Sequence, residues 1–237
     1  MTQSAFASAN LVSEHNPHIP HLRNALKARI PVPDAEFDST YPDSVREVSS
    51  RFWTPVEVAL RAAELLVVDD RTRVLDVGSG AGKFCVIGAL ATGASFTGIE
   101  HRPHLIDVAR ESARKWQASG VTFVQGRFHI VSWNKFDAFY FYNPFQEGVF
   151  SRAEQLDDTV ELSLERYRVD LALARGLLAA AKIGTRVATY HSLGGRMPSE
   201  YRLLASQRIG TDRLQLWVKQ SNDSIRACAY DDPPLFL

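Results

Sequence analysis

Val74-Leu75-Asp76-Val77-Gly78-Ser79-Gly80-Ala81-Gly82-Lys83-Phe84 is the stretch on which the reading of this chain turns. A short apolar run carries Asp76 near its end, and three glycines follow on alternate positions. Such a run, closed by glycine, predicts a buried strand of a parallel sheet. Glycine permits a tight turn and lets the backbone approach a ligand closely. The residues behind the loop read as a helix. Its first turn would aim free amides and a positive dipole end at that ligand.

Spacing separates the candidate ligands. A dinucleotide loop, G-x-G-x-x-G, would need its third glycine where Lys83 stands. A phosphate loop would need glycine in place of Val77 and Ser or Thr in place of Phe84. The pattern present is D-x-G-x-G-x-G, and Gly98-Ile99-Glu100 closes the next apolar stretch. In these elements the chain resembles class I S-adenosylmethionine (SAM) methyltransferases, over about residues 54 to 220. The resemblance implies SAM as cofactor, with Asp76, Gly78, Ser79, Gly80 and Gly82 around its methionine half and Glu100 on its ribose. A carboxylate suits two adjacent hydroxyls because it accepts from both.

Working outward, alternating strands and helices are expected. Thr54-Pro55-Val56-Glu57 reads as a helix start, with Thr54 as cap and Glu57 completing a capping box. Strands are expected at 95–100, 121–125, 137–142 and 186–190. Helices are expected at 82–91, from Pro103 to a stop at Gly120, and at 164–182 before Gly184. Segments 203–208 and 214–219 flank Gly210-Thr211-Asp212 as a hairpin. The fold class is α/β: a doubly wound, mostly parallel sheet with helices on both faces and a C-terminal antiparallel hairpin. The resemblance implies seven strands, the last inserted antiparallel. Residues 1–50 form an N-terminal arm or lid, and 51–237 the methyltransferase domain.

Ligands of open α/β sheets gather beyond the carboxyl ends of the strands. Asp76, Glu100 and Asn143 all fall at such ends. After the fourth strand, Asn143-Pro144-Phe145 offers a side-chain oxygen and a backbone carbonyl that can accept the N–H groups of an amine. An amine held in this way turns its lone pair toward a methyl carbon. An aromatic ring beside it can stack on a planar base or face an ammonium. The triplet resembles a contracted Asn-Pro-Pro-aromatic motif of amino-group methyltransferases, which implies catalytic roles for Asn143, Pro144 and Phe145. It also places Asn143 beside the cofactor and Phe145 against the acceptor. Phe52-Trp53-Thr54-Pro55 resembles the aromatic-Thr-Pro motif of the same enzymes, which implies Thr54 on SAM and Trp53 on the acceptor. Many relatives place an Asp after the third strand for the adenine amino group. Here Gly126-Arg127-Phe128 stands there, and Arg127 cannot accept a hydrogen bond. Gly126 and Arg127 are expected to line that half of the cofactor site.

Composition sets the outer bounds. The 237 residues allow one large domain or a domain with a small addition. The apolar fraction of 45% and charged fraction of 23% are those of a globular protein. A formal net charge of zero argues against a large nucleic-acid partner, which usually meets a basic surplus. A nitrogen of a protein side chain or small molecule is therefore expected ahead of a nucleic-acid base such as adenine. A non-catalytic SAM-binding protein of this fold is the remaining alternative. No apolar run approaches a membrane span, and residues 1–5 carry no secretory leader. Cys85 and Cys228 have no paired metal spacing, which suggests a reducing compartment. The expected location is cytoplasmic, without a membrane partner. His15, His18 and His21 lack ligand partners at metal spacing and read as a polar arm with a short helix near 22–27. No metal is expected.

Overall fold

A computed structural model describes residues 18–221. His15, Cys228 and the leader region at 1–5 lie outside them. Four short helices come first: α1 (Ile19–Lys27), α2 (Asp34–Asp38), α3 (Asp43–Arg46) and α4 (Ser49–Phe52). Then follow α5 (Val56–Leu66), β1 (Arg73–Val77), α6 (Lys83–Thr92), β2 (Ser95–Glu100), α7 (Pro103–Lys115) and β3 (Val121–Gln125). The chain continues through β4 (Ala138–Tyr142), α8 (Leu164–Ala180), β5 (Arg186–Tyr190), β6 (Tyr201–Ile209) and β7 (Asp212–Lys219). The seven strands lie in the order β3-β2-β1-β4-β5-β7-β6. β1 to β5 run parallel, and β7 enters antiparallel between β5 and β6. The expected sheet is therefore the observed one.

β1 sits at the switch point, paired with β2 on one side and β4 on the other. Its side chains alternate between two cores, as strand geometry requires. Val74 joins the core under α5, α6 and α7, with Phe96, Tyr140 and Ala188. Leu75 and Val77 join the core under α8, with Ile99, Phe139, Phe141, Ala174 and Leu178. α6 is buried from Lys83 to Ala91, because α5, α7 and the arm cover what the sheet does not. Phe84 of α6 stacks on Tyr140, ring centroids 3.9 Å apart.

Three local expectations are corrected. Thr54 does not cap α5: it is buried, and its hydroxyl pairs with that of Tyr140 at 3.1 Å. The Val56 amide instead donates to Asp34 Oδ1 at 2.9 Å, so the cap comes from the arm. Gly120 does not stop α7, which ends at Lys115. Trp116 there is pulled into the core against Phe37, stacked at 4.4 Å, and Gln117 turns the chain at φ +49°. α8 ends at Ala180, short of Gly184, which lies in the turn before β5. Among the described residues no helix is long and apolar enough to cross a membrane.

Candidate active site

The loop after β1 is tied to the end of β2 through its own backbone amides. The Gly78 and Ser79 amides both donate to the Ile99 carbonyl at 3.0 Å. The Gly80 amide donates to Glu100 Oε2 at 3.1 Å, while Oε1 accepts from the His101 and Arg102 amides at 2.8 and 3.0 Å. Glu100 is thus fixed with both oxygens engaged: Oε1 already accepts twice, and Oε2 keeps one further acceptor site. The two loop glycines that line the cleft are required by close approach. A Cβ on Gly78 would stand 2.8 Å from Pro144 Cβ, and one on Gly80 would stand 2.4 Å from the Trp53 ring. Both also hold positive φ, at +76° and +51°.

Asp76 is buried, and Cys85 Sγ donates to its Oδ2 at 3.4 Å. Burial pushes the Asp76 carboxyl up to about 7, against the lowering effect of the Cys85 contact. Ser79 Oγ is buried and has no hydrogen-bond partner among the described residues. Lys83 is also buried, and its Nζ pairs with Asp34 at 2.6 Å and Asp38 at 2.7 Å. Tyr41 donates to the Ala81 carbonyl at 3.2 Å, and Trp53 Nε1 donates to the Val45 carbonyl at 2.9 Å. These contacts fasten residues 34–53 onto the glycine loop.

Across the cleft, Asn143 ends β4 at φ +47°. A non-glycine residue there costs on the order of 1 kcal/mol. Its carbonyl accepts from the Gln146 amide at 3.2 Å, and its side chain makes no hydrogen bond among the described residues. Pro144 packs under Gly78, and Phe145 tilts against Phe128 at 5.2 Å. Arg102, buried at the end of β2, pairs with Glu147 at 3.0 Å and Asp157 at 3.0 Å. It pins the segment after β4 to the cofactor side. Arg127 pairs with Asp170 of α8, which Arg166 also approaches at 3.4 Å.

One cleft collects most of the residues singled out in the sequence: Trp53, Gly78, Gly80, Glu100, Gly126, Arg127, Asn143, Pro144 and Phe145. A smaller recess shares Trp53 and Gly78 with it and holds Thr54, Asp76 and Ser79. Gly82 lines neither and packs against Phe123 and Ala109. Four residues went unseen in the sequence as site components: Arg51, Arg102, Lys83 and Asp170. Their partners lie tens of residues away, as in Lys83 with Asp34 and Arg127 with Asp170, and no local pattern marks such pairs.

The donor set fits SAM. A carboxylate for a ribose lines the cleft, Gly78 and Gly80 let a ligand approach the loop closely, and the buried Ser79 hydroxyl in the adjoining recess has no partner among the described residues. A family model described as a methyltransferase domain matches residues 68–184. No curated protein matches the chain. The solved structures that share its fold include an RNA methyltransferase from Salinibacter ruber in complex with S-adenosyl-L-homocysteine. It is 22% identical, over 78% of this chain and 97% of that one, with a TM-score of 0.52. They also include TrmN from Thermus thermophilus, 21% identical over 74% of this chain and 53% of that one, TM-score 0.50. A point mutant of MtNAS in complex with SAM is 13% identical, over 88% and 80% respectively, TM-score 0.50. Residues 68–184 are thus a methyltransferase domain, and the chain has the fold of the class I SAM-dependent methyltransferases. The methyltransferase domain makes the chain an enzyme, and the residues of its cleft fit SAM as the cofactor.

The expectation of a protein or small-molecule acceptor ahead of nucleic acid is corrected by the RNA methyltransferase among these structures. The zero net charge behind that expectation is a sum over the whole sequence. Locally the cleft gathers four arginines: Arg51, Arg102, Arg127 and Arg166.

Proposed function

We propose that the enzyme methylates an amino nitrogen of a nucleic-acid base, with RNA as the substrate class. The observation that carries this is Asn143: left-handed at the end of β4, against the glycine loop through Pro144, with its amide uncommitted and an aromatic ring beside it. When bound, SAM supplies an electrophilic methyl carbon on a sulfonium. Asn143 Oδ1 and the Pro144 carbonyl accept the two N–H groups of the base amine, so that its lone pair faces that carbon. Positioning is the main contribution a protein can make to such an in-line displacement. Phe145, backed by Phe128, gives the base a face to stack on. Glu100 holds the ribose hydroxyls, and Asp170, brought by α8, offers the acid that the sequence lacks after β3. The arm acts as a lid, held by Lys83 through Asp34 and Asp38. The neighbouring RNA methyltransferase supports the substrate class.

The test is incubation with radiolabelled SAM and total RNA, DNA or protein, followed by nuclease digestion and chromatography of the nucleosides. Label in a methylated base of RNA is expected. Label that enters no nucleic acid would overturn the proposal.

A further inference from the structure

The four arginines of the cleft are not equivalent. Arg102 is neutralised by Glu147 and Asp157, and Arg127 and Arg166 share Asp170. Arg51 is exposed, and among the described residues no carboxylate pairs with it. Glu154 is the acid whose titration it influences, through space. Its guanidinium lies instead over two rings, 5.1 Å from the centroid of Phe52 and 5.4 Å from that of Phe150. Phe52 ends α4, where the arm joins the rest of the chain, and Phe150 belongs to the segment after β4. An unneutralised cation therefore spans the cleft between its arm side and its acceptor side.

We infer that Arg51 anchors a phosphate of the acceptor nucleotide, an inference that rests on the nucleic-acid reading and extends it to a second contact point. Contact with ring faces leaves the in-plane N–H fork of a guanidinium available. That fork matches two oxygens of a phosphodiester. Carboxylate-paired arginines have less to offer, because an incoming phosphate must displace a partner already in place. Arg51 and Phe145 line the same cleft, so one nucleotide can meet both, its phosphate at Arg51 and its base at Phe145. The cation–aromatic contacts hold the side chain before the nucleotide arrives, which lowers the ordering cost of binding.

The experiment is fluorescence anisotropy of a labelled, mixed-sequence RNA pentamer on the full chain saturated with S-adenosylhomocysteine, across a salt series. Saturation keeps the cofactor side in one state in parent and variants. Losing one phosphate contact to a single strand should make the slope of log K against log salt shallower by about 0.7. Arg51→Gln should show that change with an affinity loss of about tenfold. Arg51→Lys should restore the slope, because a point charge suffices for it, and only part of the affinity. An unchanged slope in Arg51→Gln, or no pentamer binding by the parent, would overturn the anchor. Methylated RNA together with an unchanged slope leaves the proposed function standing and removes the anchor. An Arg51-dependent slope with no methyl in nucleic acid does the reverse.

Discussion

On the cofactor side of the cleft, main-chain groups hold the site: Gly78 and Ser79 on the Ile99 carbonyl, and Gly80, His101 and Arg102 amides on Glu100. On the acceptor side, side chains hold it: Arg102 on Glu147 and Asp157, Arg127 on Asp170, Arg51 on two rings. Backbone contacts between adjacent strand ends depend on little besides glycine and one acid. Ion pairs between distant segments can be exchanged one at a time. One half therefore accommodates a fixed cofactor, and the other is free to be tailored to an acceptor.

The largest effect should come from breaking the cofactor side at its tightest point. Gly80→Val drives a side chain into the Trp53 ring, which would stand 2.4 Å from the first added carbon. SAM affinity by calorimetry should fall about 100-fold, in line with overpacking costs of about 1–3 kcal/mol. Adding Trp53→Ala to that variant should recover part of the loss. No recovery would mean that the glycine serves the ligand and not the indole.

Glu100→Ala should weaken SAM by about 1.5–3 kcal/mol, the worth of hydrogen bonds to a charged group. It also strips the acceptor from the Gly80, His101 and Arg102 amides, so the melting temperature of the ligand-free protein should drop too. A full loss of binding with an unchanged melt would show that those amides find water instead.

Arg102→Ala sharpens the contrast from the other side. It frees Glu147 and Asp157, and should raise the KM for the acceptor about tenfold while SAM affinity holds. A matching loss of SAM affinity would show that the two halves are not separable.

The last effect concerns pH. Burial raises the folded-state Asp76 carboxyl to about 7, well above an unfolded Asp near 3.9. The folded protein then binds this proton more tightly than the unfolded chain does. The stability it contributes is complete at acid pH and is lost as pH rises through about 7. From about pH 5 to about pH 8 the parent should lose melting temperature relative to Asp76→Asn. Parallel melting profiles would contradict the raised value.

The same division governs what was legible in the sequence. Ser95–Glu100, Val121–Gln125 and Arg186–Tyr190 were read to the residue, because a buried strand between turn signals is a local pattern. The glycine loop and Glu100 were read for the same reason. Thr54 was misread as a cap because nothing local announces Asp34, 22 residues upstream of Val56, as the true one. The end of α7 was missed because Trp116 leaves the helix to reach Phe37, a tertiary contact. The acceptor was misjudged because net charge says nothing of where Arg51, Arg102, Arg127 and Arg166 converge.

The most direct measurement is single-turnover methyl transfer to RNA by Asn143→Ala at saturating SAM, beside SAM affinity by calorimetry. Under the proposed role, in which its oxygen orients the acceptor amine, loss of Asn143 should leave SAM affinity within about twofold of the parent and slow transfer about 100-fold, the scale of a lost orienting contact. Transfer at the parental rate would show Asn143-Pro144-Phe145 to be a strand-ending turn and no more.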